Sequence, residues 1–225
     1  MINASSLFGL NDKHVTEVDE GISLHPDAAT AFRAMQYTAH TLGIDCQIVS
    51  AFRPFTRQLA IWERKWRGEA PLYSAQGALL DPESLSEWEK IQAILTWSAL
   101  PGASRHHWGT DLDVYDKENV RQCDQPFQLI ESEYSGAGPC AQLADFIQRE
   151  AHKFGFTLPY ENYKGGVAKE PWHISYAAIA EDYMLQLTQD TLYQFIDTTS
   201  LSGKDCILKH FDEVYHRFVM NRGTQ

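Results

Sequence analysis

The sequence lacks any long hydrophobic run. No part of its 225 residues approaches the roughly 20 consecutive apolar residues that a membrane-spanning helix needs. Residues 1–14 also contain neither a basic start nor an apolar run of signal-peptide length. We therefore expect a soluble, cytoplasmic protein with no membrane partner.

Positive charge is also scarce. The chain has 19 Lys and Arg residues against 30 Asp and Glu residues, which gives a formal net charge of -11. Proteins that bind nucleic acids neutralise phosphates with clustered Lys and Arg, so the composition argues against a nucleic-acid partner. The one basic concentration, between Arg53 and Arg67, is interpreted as a solvated helix face, with an anionic substrate beside it as the alternative.

Cysteine is sparse, and the motifs of serine hydrolases are missing. Four widely spaced cysteines with no Cys-x-x-Cys predict free thiols rather than a redox motif or a thiolate zinc site. Neither Ser-x-x-Lys nor Gly-x-Ser-x-Gly occurs, so catalysis by a serine nucleophile is disfavoured. The cysteines are Cys46, Cys123, Cys140 and Cys206.

The length and composition fit one substantial globular domain. Hydrophobic residues make up 44% of the chain and aromatic residues 12%, which is ordinary for a protein with a packed core. Helical and strand-like patterns interleave without regular βαβ repetition and favour an α+β fold over a doubly wound one. We predict a main domain over residues 1–177 and, packed on it, a helical extension over residues 178–225 that is broken near Ser202 and Gly203.

The periodicity of apolar residues and the positions of turn residues predict the individual elements. The segment Asp81-Pro82-Glu83 is typical of a helix start, and Pro101 ends the helix that it opens. The predicted helices lie at residues 26–42, 57–66, 81–100 and 143–154, the strands at 47–52, 111–115 and 172–176, and the loops at 69–77 and 104–109.

The segment over residues 104–113 concentrates metal-ligand residue types. Alternation along the predicted strand places Asp111 and Asp113 on one face and their apolar neighbours on the other. Gly109 permits a sharp turn that can bring His106 back over the same face. A histidine and an aspartate can thus converge on one metal ion.

A second such segment is Glu170-Pro-Trp-His173. Pro171 favours an extended Glu170, so the arrangement differs from a helical His-Glu-x-x-His motif. Two histidines and one carboxylate leave zinc an open fourth position, which is the pattern of catalytic rather than structural sites. The same ligand set serves iron oxygenases, so the ligand types alone are also compatible with manganese or iron. A carboxylate base beside the site favours zinc.

These segments resemble the zinc D-alanyl-D-alanine carboxypeptidases and dipeptidases, a family related to lysostaphin-type endopeptidases and the hedgehog signalling domain. The resemblance covers roughly residues 27–177 and implies a small antiparallel sheet that carries the zinc site and is flanked by helices. Three ordered motifs in one chain are far more specific than any one alone. They are Ser50-Ala-Phe-Arg53-Pro-Phe-Thr-Arg-Gln58, Ser104-x-His106-x-x-Gly109-x-x-x-Asp113 and Glu170-x-Trp172-His173.

The resemblance implies a role for each of five residues. His106, Asp113 and His173 are implied to bind one Zn2+ ion. Glu170 is implied to take a proton from the zinc-bound water and to return it to the leaving amine, which suits a carboxylate near the metal. Arg53 is implied to stabilise the oxyanion or to hold the terminal carboxylate of the substrate.

Other positions refine or depart from the family pattern. Gln58 and Ser104 are implied to contact the C-terminal D-alanine of the substrate. Ser175 stands where the family often has an arginine, so that cation is either absent or supplied elsewhere. Asp111 stands where a small residue is common, and its carboxylate could compete with the ligands. His107 is expected to be a neighbour of the site or a hydrogen-bond donor to it, not a ligand.

The implied activity is release of a C-terminal D-alanine from a peptidoglycan peptide. A cytoplasmic D,D-carboxypeptidase would attack the wall precursor of its own cell, so the expected compartment favours an L,D-carboxypeptidase that acts on recycled tetrapeptides. The alternative is a D,D-carboxypeptidase or a D-Ala-D-Ala dipeptidase. A second alternative is a catalytically silent zinc-binding module of the hedgehog type, and Glu170 argues against it because a structural metal needs no general base.

Overall fold

The computed structural model describes residues 2–223, and within that range no helix combines the length and the apolar composition that a bilayer crossing requires. Short 3-10 turns lie at Arg105–Trp108, Glu131–Tyr134 and Ala151–Phe154, and a π-helical turn lies at Val214–Val219. In chain order the helices and strands are α1 Ala4–Leu7, β1 Thr16–Asp19, β2 Ile22–Leu24, α2 Pro26–Thr41, β3 Cys46–Ser50, α3 Phe55–Trp66, β4 Leu72–Tyr73, β5 Leu79–Leu80, α4 Glu87–Trp97, β6 Asp111–Asp116, α5 Lys117–Arg121, α6 Ala141–Glu150, β7 Phe156–Thr157, β8 His173–Tyr176, α7 Ala177–Gln186, α8 Gln189–Thr198, α9 Lys204–Lys209 and α10 Phe211–Glu213.

A four-stranded antiparallel sheet in the order β3-β6-β8-β7 forms the centre of the fold. β6 has a neighbour on each side, and its register places Asp113 opposite Ser50 on β3 and opposite His173 on β8. Two further strand pairs, β1 with β2 and β4 with β5, form hairpins outside this sheet. The expected α+β fold with a small antiparallel sheet and flanking helices is confirmed.

The two faces of this sheet have opposite character. Leu112 and Val114 of β6 and Ile174 of β8 are fully buried and pack with α2 and α6 into one hydrophobic core. Burying a side chain of this kind stabilises the fold by about 1.5–3 kcal/mol. Asp111 and Asp113 alternate with them along β6, so the strand period places both carboxylates on the other face.

A second hydrophobic core joins the two ends of the chain. Leu7 near the N-terminus, Trp62 of α3 and Ile94 of α4 share this core with Leu192 of α8 and Phe211 of α10. The helices from α7 onward therefore pack against the rest of the chain through a common core. The predicted division after residue 177 stays a prediction.

The helix α4 begins later than the sequence predicts. Its first residue is Glu87, because Ser86 and Glu89 form a capping box: the Ser86 N–H donates to Oε2 of Glu89 at 2.8 Å, and the Glu89 N–H donates to Oγ of Ser86 at 3.3 Å. The predicted start at Asp81 is wrong, since that side chain accepts from a backbone N–H two residues ahead and caps a turn. α4 also ends at Trp97, before the predicted proline stop.

The remaining differences from prediction are small. Residues 69–77, predicted as a loop, contain β4, and residues 104–109, also predicted as a loop, contain a 3-10 turn. The predicted break near Ser202 and Gly203 is present and lies between α8 and α9. The helical tail also has further breaks, because it is divided into four helices, α7 to α10, and a π-helical turn. All four cysteines are free thiols, as predicted.

Candidate metal centre and substrate cleft

A 3-10 turn holds His106 over the polar face of the sheet. The turn covers Arg105–Trp108 and ends at Gly109, whose φ of +67° is the left-handed conformation that glycine adopts easily. A side chain at this position would also collide with Val15. Nδ1 of His106 lies 2.9 Å from the backbone oxygen of Ala51. Because a carbonyl only accepts, Nδ1 donates there and Nε2 keeps the lone pair.

Asp113 and His173 face each other across β6 and β8, and His106 completes a group of three. Nδ1 of His173 lies 3.0 Å from Oδ1 of Asp113, and Nε2 of His106 lies 3.3 Å from Oδ2 of the same carboxylate. One ligand atom from each residue lies within 4.8 Å of the others, and all three side chains are buried. Atoms that bind a tetrahedral zinc ion at about 2.1 Å are separated by roughly 3.4 Å. The structure thus brings the three predicted ligands together in a spacing that fits zinc.

Glu170 lies beside this group. Its Oε2 atom is 3.7 Å from Nδ1 of His173, and the backbone N–H of His173 donates to the backbone oxygen of Glu170 at 3.1 Å across the turn at Pro171. Burial raises the pKa of Glu170 to about 7, although nearby positive charge acts in the opposite direction. A carboxyl group with such a pKa can both accept and release a proton near neutral pH.

Arg53 is held by side chains and by its own backbone. Nη1 donates to Oε1 of Gln58 at 2.9 Å, and Nη2 donates to Oγ of Ser50 at 2.9 Å. The Arg53 N–H donates to the backbone oxygen of His106 at 3.0 Å, which ties it to the ligand turn. Gln58 is fully buried and donates its Nε2 to the carbonyl of Ala99 at 2.7 Å. Gln58 therefore orients Arg53, and a direct contact between Gln58 and the substrate stays a prediction.

Both ring nitrogens of His107 bind backbone groups. Nδ1 donates to the oxygen of Arg53 at 2.6 Å, and Nε2 accepts from the N–H of Gly102 at 3.1 Å. Burial lowers the pKa of His107 to about 3, so the ring is neutral. His107 therefore connects the 3-10 turn that carries His106 to the backbone of Arg53, and it is not one of the three metal ligands.

Asp111 lies behind His173, also outside the ligand group. Its Oδ1 atom is 3.0 Å from Nε2 of His173 and 2.7 Å from Nε of Arg105, and its Oδ2 atom accepts from the Thr110 hydroxyl at 2.6 Å. Burial alone would raise the pKa of Asp111, but the charge of Arg105 and these hydrogen bonds lower it, so the group is ionised. Its oxygens are engaged by these partners, so Asp111 does not compete for the metal.

The predicted site residues other than Gln58 converge on one cleft of about 300 Å³. Its polar end is formed by the ligand group together with Glu170, Arg53 and Ser104, whereas Gln58 lies outside its lining. Its apolar wall comes from the end of α4, the loop after it and the C-terminal π-helical turn, and includes Trp97, Leu100, Phe218 and Val219.

Residues 21–179 match the model of the VanY family, described as D-alanyl-D-alanine carboxypeptidase. The chain belongs to this family. The matched segment contains all three motifs and the buried group of two histidines and one aspartate. The predictions of a peptidase that depends on zinc, and of the family to which it belongs, are thereby confirmed.

Individual relatives of this VanY-family chain differ in how closely they match. A Haemophilus influenzae protein described as uncharacterised is 32% identical over 127 residues, which cover 56% of this chain and 96% of that protein. The structure of VanYB in complex with D-alanine-D-alanine aligns with a TM-score of 0.53 and 18% identity over 84% of this chain and 91% of that chain. The LdcB LD-carboxypeptidase aligns with a TM-score of 0.52 and 23% identity over 77% of this chain and 69% of that chain. At these identities the two structures establish the shared fold.

The basic side chains between Arg53 and Arg67 of this VanY-family chain differ in where they lie: some face solvent and others lie at or near the cleft. Lys65 of α3 is half-buried, and its Nζ donates to Oγ of Ser98, a cleft residue, at 2.7 Å. Burial lowers the pKa of Lys65 to about 8. The solvated helix face that the sequence predicts is formed by the exposed side chains of Arg57, Arg64 and Arg67.

Several residues at the site could not be predicted from the sequence, because tertiary packing brings them there. The ring centre of Tyr160 lies 4.8 Å from that of His173, and Phe218 lines the cleft from the far end of the chain. Nη2 of Arg105 donates to Oγ of Ser175 at 2.6 Å. Arg105, which also lines the cleft, thus places a guanidinium beside Ser175, where the family often has an arginine. No spacing pattern in the sequence marks these residues.

Proposed function

We propose that this protein is a zinc carboxypeptidase that releases the C-terminal D-alanine from peptidoglycan peptides. The observation that carries the proposal is the position of Glu170, 3.7 Å from Nδ1 of His173, in a cleft that Arg53 also lines. Hydrolysis of the last peptide bond of a chain requires a proton acceptor beside the metal ligands, which is Glu170 here. It also requires a cation for the terminal carboxylate or the oxyanion, which is Arg53 here.

The chemistry divides between the metal and the side chains. When bound, zinc supplies a Lewis acid that polarises the scissile carbonyl and makes water a nucleophile near neutral pH. Glu170 accepts a proton from the attacking water and passes it to the nitrogen of the leaving D-alanine as the C–N bond breaks. The products are free D-alanine and a peptide shortened by one residue. The pKa of Glu170, about 7, suits both the acceptance and the release of that proton.

Arg53 gives the cleft its preference for a chain end. Two of its five N–H groups bind Gln58 and Ser50, so others stay available to a carboxylate or an oxyanion in the cleft. The apolar part of the cleft lining, which includes Trp97, Leu100 and Phe218, suits a small methyl side chain such as that of D-alanine. A volume of about 300 Å³ suits the end of a short peptide better than a folded protein.

The proposal extends to an L,D-carboxypeptidase that works in the cytoplasm on tetrapeptides from recycled wall material. A D,D-carboxypeptidase in that compartment would consume the pentapeptide precursor of the cell, whereas trimming of tetrapeptides would spare it. The fold is compatible with both reactions, since the TM-scores to VanYB and to the LdcB LD-carboxypeptidase are 0.53 and 0.52. D,D-carboxypeptidase or D-Ala-D-Ala dipeptidase activity is the alternative.

Release of D-alanine from a matched set of peptides tests this proposal. The zinc-loaded protein is incubated with a tetrapeptide that ends in an L,D bond, a pentapeptide that ends in D-Ala-D-Ala, and the D-Ala-D-Ala dipeptide. We expect release from the tetrapeptide, and preference for either other peptide would replace the L,D reaction with the corresponding alternative. Cleavage of none, with zinc bound, would favour a silent zinc module. Fractionation of cells tests the compartment, and recovery outside the cytoplasmic fraction would contradict it.

A further inference from the structure

Two cross-strand pairs of β6 and β8 lie on the same face of the sheet. Asp113 faces His173, and the next pair on that face is Asp111 and Ser175. The side chain of Arg105 reaches across this second pair, because Nε donates to Oδ1 of Asp111 at 2.7 Å and Nη2 donates to Oγ of Ser175 at 2.6 Å. An ion pair is therefore fixed directly behind His173.

We propose that Asp111 and Arg105 are positioning residues of the zinc site, which select the ring nitrogen of His173 that binds the metal. Asp111 accepts a hydrogen bond from the Nε2–H of His173, which leaves the lone pair that a metal requires on Nδ1, the atom beside Asp113. Arg105 holds Asp111 in that orientation. The inference rests on the zinc site of the proposed function and adds two residues that do not touch the metal.

The proton position on His173 follows from the partners of its two nitrogens. Nε2 lies 3.0 Å from Oδ1 of Asp111, and an ionised carboxylate only accepts hydrogen bonds. Nδ1 lies equally close, 3.0 Å, to Oδ1 of Asp113, but Asp113 belongs to the group of three ligands, whereas Asp111 is paired with Arg105. A metal in that group therefore takes the lone pair of Nδ1, and Nε2 keeps the proton and donates it in a hydrogen bond to Asp111. A carboxylate behind a metal-binding imidazole fixes the ring orientation and makes the ligand more basic.

Asp111 can act in this way because Arg105 neutralises it. Asp111 is fully buried, where an unpaired carboxylate would be costly. The guanidinium of Arg105 lies in turn 5.1 Å from the ring centre of Trp108, which is itself fully buried in the hydrophobic core. The small side chain of Ser175 leaves the space that Nη2 of Arg105 occupies. The chain of contacts thus runs from the core to the ligand His173.

Zinc affinity measured without substrate tests the inference separately from peptidase activity. The zinc dissociation constant of the protein is determined by competition with a chromogenic chelator. We expect Asp111→Ala to weaken zinc binding about 10- to 100-fold, the usual effect of removing a carboxylate behind a metal-binding histidine. Asp116→Ala is the matched control, since Asp116 is buried on the same strand but accepts from the N–H of Asn119 at 3.2 Å and caps α5. The control should leave zinc affinity unchanged.

Arg105→Ala tests whether Arg105 acts through Asp111. We expect this variant to bind zinc more weakly, and the double variant with Asp111→Ala to bind no more weakly than Asp111→Ala alone. Additive losses, or a raised KM with unchanged zinc affinity, would show that Arg105 acts on the metal or on the substrate directly. Unchanged zinc affinity in a folded Asp111→Ala protein would contradict the inference as a whole.

Asp111→Asn covers the case in which Asp111→Ala does not fold. Its neutral amide oxygen can still accept from Nε2 of His173 and from Nε of Arg105, but the side chain no longer neutralises the charge of Arg105, so we expect an intermediate loss of zinc affinity. Circular dichroism of the metal-free variants establishes that they are folded. Wild-type affinity in this variant would show that the charge of Asp111 is dispensable. If the variants lose zinc affinity as described but the zinc-loaded wild-type protein cleaves no peptide, the proposed function is contradicted and this inference stays intact.

Discussion

Nδ1 of His173 lies 3.0 Å from Oδ1 of Asp113, and the two residues occupy directly opposite positions on β8 and β6. The register of this antiparallel pair therefore sets the distance between two of the three predicted zinc ligands. Because side chains alternate between the faces of a sheet, a slip of one residue would turn a ligand into the hydrophobic core. The packing of Leu112 and Ile174 on the opposite face thus holds the metal site in place.

Zinc should stabilise the fold. A metal that binds only the folded chain raises the free energy of unfolding by mass action, by about 4 kcal/mol when free zinc is 1,000 times the Kd. We expect the Tm, measured by calorimetry, to rise with added zinc and to fall with a chelator. His173→Ala should abolish this shift, whereas His152→Ala, which removes an exposed histidine, should retain it. An undiminished shift in His173→Ala would remove His173 from the ligand group.

Arg53→Ala should lower kcat/KM for D-alanine release about 100- to 1,000-fold, the usual loss when one donor to a developing oxyanion is removed. Zinc affinity should stay unchanged, because Arg53 is not one of the three ligands. Arg53→Lys should not restore activity, since the single ammonium group of lysine cannot replace the two guanidinium nitrogens that bind Gln58 and Ser50. Steady-state kinetics with a parallel zinc titration measure both effects. Wild-type kinetics in Arg53→Ala would exclude Arg53 from substrate binding.

Gly109→Ala should destabilise the protein more than the same change at another left-handed glycine. Gly109 has a φ of +67°, and an added Cβ would collide with Val15 and lie 2.9 Å from the backbone nitrogen of His25. Gly77→Ala is the matched control, because Gly77 has a φ of +80° but an added Cβ there meets nothing within 4 Å. We expect the control to cost about 1–2 kcal/mol from backbone strain alone. Urea unfolding of both variants measures the difference, and equal losses would show that the Val15 contact is unimportant.

Stability should fall in mild acid because of His107. Burial lowers the pKa of His107 to about 3 from an ordinary 6.5, so between these values the unfolded chain binds a proton that the folded chain does not. This contribution to the free energy of unfolding is fully present above pH 6.5 and is lost as the pH falls. The loss is about 1.4 kcal/mol per pH unit.

His107→Gln isolates that contribution. A glutamine amide can donate to the oxygen of Arg53 and accept from the N–H of Gly102 without titrating. We expect its free energy of unfolding to fall less steeply with pH, measured by urea unfolding of zinc-free protein. An identical slope in the two proteins would show that His107 is not the titrating group.

The metal ligands could be predicted because the geometry that places each one is local. Strand alternation predicts the face of Asp113, and the left-handed turn at Gly109 predicts the return of His106 over that face. The meeting with His173 depends on how two strands pair, which the spacing of residues does not encode. The resemblance to a known family supplied that step.

Other parts of the structure could not be predicted, because their causes are distant in the sequence. Arg105 binds Ser175 across 70 residues, and Phe218 reaches the cleft through the packing of the last helices. The start of α4 was ambiguous for a different reason. Asp81 and Ser86 are both good N-cap residues, and only Ser86 has a glutamate three residues later that completes a capping box.

Replacement of Glu170 by glutamine tests the central claim most directly. The amide keeps the size of the side chain but cannot accept the proton of the attacking water. Zinc content and D-alanine release from the tetrapeptide are measured on the same preparation of Glu170→Gln and of the wild type. We expect equal zinc content and a rate of release about 100- to 10,000-fold lower in the variant. Unchanged release with zinc bound would contradict the role of Glu170 as the proton carrier.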